Sequence, residues 1–199
     1  MSTAPVQSQH FTYTDYLTWP EDERWELIDG VPYAMTPAPS SIHQLIAVET
    51  GRQLGNWLLD KPCKVFLSPI DVRLSSSTEA DTKIDTVIQP DILVVCDPKK
   101  IDRRGILGVP DLIIEIISPS SSSMDEITKA ALYERHGVRE YWIVYPAERL
   151  VHVRLLGADG KFVSRHVAAR GRIPVSILDG FEFDFDMVFQ QIGDIDFGE

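Results

Sequence analysis

Two acidic residues lie within apolar stretches of the chain, where a carboxylate is costly to bury. Glu115 interrupts a run of Leu and Ile over residues 112–117, and Asp91 begins a second apolar run that ends at Val95. Such runs are typical of strands buried on both faces, where an unpaired carboxylate costs on the order of several kcal/mol. Two acids on two buried strands suit a divalent cation. The alternatives are a structural ion pair for Glu115 and a cap after Pro90 for Asp91.

Two further charged residues complete a candidate site for phosphodiester hydrolysis. A helical lysine is usually solvated, but Lys129 shares a predicted helix face with Leu132 and Tyr133, as expected of a residue turned towards a sheet. Glu26 alternates with apolar neighbours in a predicted hairpin and faces either the site or solvent. Carboxylate-bound Mg²⁺ polarises a phosphoryl oxygen and lowers the pKa of bound water. A nearby lysine orients that water or offsets the charge that develops on the phosphate.

Other polar residues are weaker candidates for chemistry. His43 lies near the start of a predicted helix, from which it can reach a metal or phosphate, although a capping or surface histidine is the commoner outcome at such a position. The remaining histidines have no ligand spacing. The serine run over residues 118–123 lacks the GxSxG pattern of a nucleophilic serine, and the chain has no Gly-rich phosphate loop.

The elements that must position these residues follow from local patterns. Asp29-Gly30 between two apolar runs predicts a hairpin over residues 24–35. Ser123 and Glu126, in capping-box spacing, predict the start of a helix over 124–136 that Gly137 ends. The remaining predicted elements are helices at 12–17 and 42–59, strands at 65–74, 87–95, 111–117, 140–145, 150–156 and 161–167, loops at 75–85 and 97–106, and an edge strand or tail at 181–186.

Composition predicts one α+β domain over residues 11–190, after a disordered start (1–10) and before an acidic tail (191–199). A chain of 199 residues with 44% hydrophobic content can build one good core. No apolar run approaches the length of a membrane span, and the polar N-terminus lacks the pattern of a signal peptide. Cys63 and Cys96 are far from any CxxC spacing, so we expect free thiols in a reducing cytoplasm.

The charge distribution bears on possible nucleic-acid partners. The net charge of −11 disfavours a high-affinity polyanion groove. Residues 127–172 nevertheless carry nine Lys and Arg against four acids, whereas residues 173–199 carry seven acids and no base. Ordinary solvated faces explain this pattern, and a weak or transient contact with DNA is compatible with it.

Taken in order, several short motifs resemble one known family. The chain is similar to the bacterial family of putative restriction endonucleases that is abundant in cyanobacteria, a branch of the PD-(D/E)XK nuclease superfamily. The resemblance covers about residues 11–190 and rests on Trp25–Gly30, His43, Gln89–Asp91, Pro110–Glu115, Ser118–Ser120, Asp125–Lys129, Tyr133 and Gly137–Val144.

The resemblance implies a restriction-endonuclease-like core, in which helices flank a mixed β-sheet in an α/β sandwich-like arrangement. Asp91 would match the superfamily's aspartate, Glu115 its second acid, and Glu26 an acid supplied by an early element. The chain departs from the superfamily's general pattern at Ile117, where a lysine is usual. The lysine of this branch lies in the following helix, which points to Lys129.

The leading hypothesis is therefore a Mg²⁺- or Mn²⁺-dependent endonuclease that cuts DNA, acts in the cytoplasm and forms a homodimer. In this hypothesis Asp91, Glu115 and Glu26 bind the metal and Lys129 orients water or stabilises charge. One alternative is a catalytically idle module of the same fold that binds nucleic acid or a protein. Another is a metal-dependent hydrolase of a small phosphorylated substrate. Without a recognisable DNA-binding motif, any sequence specificity would come from loops such as 75–86 or 97–106.

Overall fold

The structure, a computed structural model, describes residues 9–20, 22–35, 38–75, 78–117 and 124–193. Three predictions fall outside these ranges: most of the disordered start of the chain, the serine run at 118–123 with its Ser123 cap, and the tail after residue 193. No helix within the described ranges is long and apolar enough to cross a membrane.

The described strands form two six-stranded sheets and one two-stranded sheet. The first sheet has the order β2-β1-β5-β4-β8-β7 and consists of β1 (Trp25–Ile28), β2 (Val31–Ala34), β4 (Val72–Arg73), β5 (Val87–Ile88), β7 (Ile101–Asp102) and β8 (Gly105–Leu107). The second has the order β12-β11-β10-β9-β6-β3 and consists of β3 (Lys64–Leu67), β6 (Ile92–Val95), β9 (Leu112–Ile116), β10 (Glu140–Tyr145), β11 (Leu150–Leu156) and β12 (Phe162–Ala168). Strands β13 (Arg172–Pro174) and β14 (Glu182–Asp184) form the small sheet.

Four α-helices accompany the sheets within the described ranges: α1 (Tyr13–Tyr16), α2 (Ser41–Trp57), α3 (Ala130–His136) and α4 (Phe185–Ile192). A 3₁₀ turn covers Pro98–Lys100, and a π-helical segment, Met124–Lys129, leads directly into α3. Gly137 ends α3 in the left-handed conformation, with φ 85°, as the sequence predicts.

The second sheet separates two apolar cores. One face packs against α2, α4 and the small sheet, through residues such as Ile92 and Ile114. The other face packs against α3 and the first sheet, through residues such as Leu93 and Ile113. Because side chains alternate along a strand, positions 91 and 115 continue the row of Leu93 and Ile113. The candidate site residues on this sheet therefore face α3 and the first sheet.

One mixed sheet was expected, but the structure has two large mixed sheets. Each six-stranded sheet is mixed: β4 pairs with β8, and β9 with β10, in parallel, and the other pairs are antiparallel. The predicted strand 87–95 breaks at Gln89–Asp91, so that β5 joins the first sheet and β6 the second. Pro90 has no N–H to donate to a ladder, which favours a break at this position.

The predicted hairpin is confirmed, but the sequence analysis did not predict β7, β8, β13 or α4. Asp29 and Gly30 form the predicted hairpin turn with φ of 50° and 75°. The predicted loop at 97–106 contains the 3₁₀ turn, β7 and the start of β8. The segment 181–186 is a strand only at β14, and α4 begins at Phe185 because the Asp184 side chain accepts hydrogen bonds from the backbone N–H of Asp186 and Met187.

The expectation of two free thiols is wrong, because Cys63 and Cys96 form a disulfide. Strands β3 and β6 pair antiparallel with Lys64 opposite Val95, which places Cys63 and Cys96 opposite one another at the end of the ladder. The cytoplasmic location stays a prediction, and it no longer has support from free thiols.

Reduction of this disulfide is expected to lower the free energy of unfolding by about 3–4 kcal/mol. The bond joins residues 33 positions apart and so lowers the conformational entropy of the unfolded chain. Denaturant unfolding with and without reductant measures the effect, and in the Cys63→Ser/Cys96→Ser variant the reductant should change nothing. Overlapping unfolding curves for the oxidised and reduced protein would contradict the prediction.

Candidate active site

Asp91 and Glu115 lie opposite one another on neighbouring antiparallel strands. Strand β6 pairs with β9 so that Ile92 faces Ile114. One step further along this register brings Asp91 beside Glu115, and directly opposed residues of an antiparallel pair project from the same face. The two acids predicted from separate apolar runs therefore meet at one end of the pair.

Reciprocal hydrogen bonds hold the two carboxylates in place. The backbone N–H of Asp91 donates to Glu115 Oε2 over 3.2 Å, and the backbone N–H of Ile116 donates to Asp91 Oδ2 over 2.8 Å. Each acid thus accepts a backbone hydrogen bond from the strand that carries the other. Glu115 is 2% exposed, and this bonding offsets part of the cost of its burial.

The helix that follows β9 contributes Lys129 and Tyr133. Lys129 ends the π-helical segment and Tyr133 lies in α3, so both side chains reach the same carboxylate. Lys129 Nζ lies 3.2 Å from Glu115 Oε1, and the Tyr133 hydroxyl donates to that oxygen over 2.9 Å. The Lys129 side chain is 8% exposed, so this lysine is buried in the site rather than solvated.

Glu26 completes the group from the first sheet and faces the site. Its Oε1 lies 3.1 Å from Lys129 Nζ and accepts the backbone N–H of Gln89 over 2.9 Å. Lys129 is therefore placed between two buried glutamates, one from each six-stranded sheet. The ion pairs of Lys129 with Glu26 and Glu115 therefore connect the two sheets near the point where the chain passes from β5 to β6.

Tyr133 stays a neutral donor to Glu115. Burial, followed by the negative charge of Glu115, raises the pKa of the Tyr133 hydroxyl well above its ordinary value. The phenol therefore keeps its proton across the physiological pH range. Sequence reasoning placed Tyr133 on the Lys129 face without giving it a role; its spacing of four residues from Lys129 was the available signal.

His43 is a part of the site that sequence reasoning left undecided. The backbone N–H of this residue is capped by Ser40 Oγ, while its side chain, 13% exposed, turns inward and places Nε2 3.0 Å from Asp91 Oδ2. His43 is therefore neither a surface residue nor a residue whose side chain caps the helix, the two outcomes that are commoner at such a position. Its Nδ1 is buried and has no hydrogen-bond partner among the described residues.

The donor set fits Mg²⁺ or Mn²⁺ only as a site with few protein ligands. Among the described residues, no group of three or more His, Cys, Asp or Glu is arranged to hold a metal ion. Asp91 Oδ1, however, accepts no hydrogen bond from a described residue, and the Asp91 side chain is 21% exposed. Mg²⁺ is commonly bound by one or two carboxylates, with water and substrate phosphate as the other ligands. Asp91 and Glu115 would hold it, with Glu26 beside them.

All four residues proposed from the sequence meet in this one cluster, and their chemical roles stay predictions. Tyr133, His43 and the backbone of Gln89 add contacts that the sequence did not assign. The cluster combines oxygen donors for a hard cation with a fixed ammonium group. It can therefore bind a divalent ion and stabilise charge on a phosphate.

Known proteins resemble this chain over most of its length. A crystal structure described as a putative nuclease belonging to DUF820, from Anabaena variabilis, matches with a TM-score of 0.71 and 21% identity, over 92% of this chain and 99% of that one. An uncharacterised protein of Synechocystis is 25% identical over 179 residues, 88% of this chain and 90% of the relative. The family model described as Uma2, "Putative restriction endonuclease", matches residues 13–187. The chain belongs to this Uma2 family.

Proposed function

We propose that the protein is a Mg²⁺- or Mn²⁺-dependent endonuclease that hydrolyses phosphodiester bonds of DNA. The observation that carries this proposal is the placement of Lys129 Nζ within 3.2 Å of Glu115, beside an Asp91 carboxylate with one oxygen available. Family membership supports the reaction class, since the family is described as "Putative restriction endonuclease".

In this proposal each side chain has a defined task. A cation held by Asp91 and Glu115 would polarise a phosphoryl oxygen and make a bound water more acidic. Asp91 and Glu115 present oxygen ligands from two strands whose relative position is fixed by their reciprocal hydrogen bonds. Lys129, held between Glu115 and Glu26, places its ammonium group where negative charge develops on the phosphate. Glu26 holds that lysine and serves as an auxiliary ligand or base.

The proposal also covers the oligomeric state of the protein, its location in the cell and its affinity for DNA. Two active centres allow both strands of a duplex to be cut in one binding event, so we propose a homodimer that acts in the cytoplasm. The net charge of −11 limits non-specific attraction to a polyanion, so DNA binding is expected to be weak or transient.

Cleavage of supercoiled plasmid tests the proposal. Purified wild-type protein is incubated with Mg²⁺, with Mn²⁺ or with EDTA, and single-stranded DNA and RNA are assayed in parallel. Nicking that requires the metal and is lost in the Asp91→Asn variant supports the function. If folded protein in the presence of metal cleaves none of the three substrates, the hydrolytic proposal fails.

A second candidate is an idle module of the same fold that binds nucleic acid or a protein. It is favoured by the lack of a three-residue metal group among the described residues and by Lys129, whose Nζ pairs with both Glu26 Oε1 and Glu115 Oε1. Such a module would bind DNA with a steep salt dependence and without cleavage in Mg²⁺ or Mn²⁺.

His43 is expected to act as a positioning residue for Asp91. Replacement of His43 by alanine should lower metal affinity and cleavage about 10- to 100-fold, as is usual when the partner of a ligating carboxylate is lost. Titration of Mn²⁺ into the two proteins measures this, and His43→Asn should retain more affinity than His43→Ala. Equal Mn²⁺ affinity in wild type and His43→Ala would contradict the role.

A further inference from the structure

The β7–β8 hairpin is held rigidly beside the candidate active site. Arg73, fully buried, donates through Nη2 to Asp102 Oδ1 over 2.6 Å and so fixes one side of the hairpin turn. On the other side, the backbone N–H of Ile106 donates to the carbonyl of Asp71 over 2.8 Å. Gly105, with φ 111°, allows this approach, because a Cβ there would collide with the Asp71 carbonyl oxygen. The turn therefore presents Arg103 in a fixed place.

An open cavity of about 440 Å³ separates this hairpin from Gln89. Its lining includes Asp71, Gln89, Arg103 and Arg104. Gln89 also contacts the active-site cluster directly, since its backbone N–H donates to Glu26 Oε1. Gln89 therefore connects the lining of the cavity to the carboxylate cluster.

The Gln89 side chain also orients Arg24, which lies outside the lining of the cavity. Gln89 Nε2 donates to Asp71 Oδ1 over 3.0 Å, which leaves Gln89 Oε1 to accept Arg24 Nη2 over 2.7 Å. Arg24 Nη2 also donates to Ser68 Oγ over 3.1 Å. The guanidinium of Arg24 is thus held in one orientation by neutral groups while the residue stays exposed.

Two of the arginines beside Gln89 have no acidic partner. Arg73 and Arg104 are paired with Asp102 and Asp81. Arg24 and Arg103, both exposed, form no salt bridge with any described residue. Arg24 hydrogen-bonds to Gln89, and Arg103 lines a cavity together with Gln89, so both guanidinium groups lie near this residue. Guanidinium groups bind phosphate oxygens through paired N–H donors.

We propose that Arg24 and Arg103 form a second subsite, which binds phosphodiester groups of the substrate strand next to the one at the carboxylate cluster. The inference rests on the proposed nuclease function and extends it. Its positive charge would position the DNA backbone relative to the carboxylate cluster. The subsite would make no contact with the bases. It also places the 97–106 segment on the substrate.

Salt-dependent binding of a labelled DNA duplex tests the subsite. Anisotropy titrations are run in Ca²⁺, which takes oxygen ligands like Mg²⁺, from about 50 to about 200 mM salt. Arg24→Gln and Arg103→Gln should each weaken binding roughly tenfold at the lower salt and reduce the slope of log K against log salt by about 1. Arg103 makes no described side-chain contact, so its replacement should leave the thermal unfolding midpoint unchanged.

The matched control is Arg170→Gln, an exposed arginine after β12, on the edge of the other sheet. It should bind DNA like the wild type. If Arg24→Gln and Arg103→Gln also keep the wild-type affinity and slope, the subsite is overturned. Metal-dependent hydrolysis of bis-p-nitrophenyl phosphate by wild-type protein reports separately on the proposed function. A wild type that binds DNA through these arginines but hydrolyses nothing supports the subsite and contradicts the nuclease.

Discussion

Replacement of Glu115 by glutamine is expected to lower the metal-dependent cleavage rate about a thousandfold, equivalent to about 4 kcal/mol of transition-state stabilisation. Glutamine keeps the size of the side chain but removes the charge that a divalent cation and Lys129 both require. Glu115 contacts the side chains of Lys129 and Tyr133 and the backbone N–H of Asp91. Its replacement therefore affects contacts to three residues of the cluster. Single-turnover cleavage of plasmid with saturating Mn²⁺ measures the rate.

The matched control for this variant is Glu49→Gln. Glu49 is also buried, at 4% exposed, and its Oε1 pairs with Arg52 Nη2 over 2.6 Å, but it lies in α2 outside the cluster. It should keep wild-type cleavage. Comparable activity in Glu115→Gln and Glu49→Gln would refute the assignment of Glu115, provided that both variants are folded.

Replacement of Lys129 by methionine is expected to lower the free energy of unfolding by about 3–5 kcal/mol and to remove cleavage. Methionine occupies a similar volume, but it leaves Glu26 and Glu115, 5% and 2% exposed, buried without their shared cation. Denaturant unfolding in EDTA gives the stability loss. The plasmid assay gives the activity in parallel.

Lys161→Met serves as the control for the loss of a lysine ion pair. Lys161 Nζ lies 3.0 Å from Glu134 Oε1, but its side chain is 72% exposed, so this solvent-screened pair should contribute little to stability. If Lys129→Met costs no more stability than Lys161→Met, Lys129 does not hold the two glutamates together. Cleavage that survives Lys129→Met would reject its part in the chemistry while leaving the metal ligands in place.

The content of the candidate site was predictable from the sequence, whereas its geometry was not. A glutamate among Leu and Ile requires a cation or donors, and the structure supplies Lys129 and Tyr133. That Asp91 stands opposite Glu115 depends on the register of β6 against β9 and on the break at Pro90. Local patterns specify neither, because strand pairing is decided by contacts between distant segments.

The errors in the sequence-based fold have two origins, one in long-range pairing and one in a local signal. Cys63 and Cys96 are bonded because β3 and β6 are neighbours, which their spacing along the chain does not indicate. The alternating pattern at 181–186 predicted an edge strand or an extended tail, but the Asp184 cap starts a helix there. Asp184 was a visible capping signal, and its residue type favours a helix start over a continuing strand.

Calorimetric titration of Mn²⁺ into the wild-type protein and into Asp91→Asn tests whether the cluster is a metal centre. Asp91 Oδ1 accepts no hydrogen bond from a described residue and is open to a cation, while Oδ2 is held by Ile116 and His43. We expect one bound ion per wild-type chain, no detectable binding to Asp91→Asn, and unchanged binding to Glu49→Gln. Equal binding by wild type and Asp91→Asn would contradict a metal centre at this cluster.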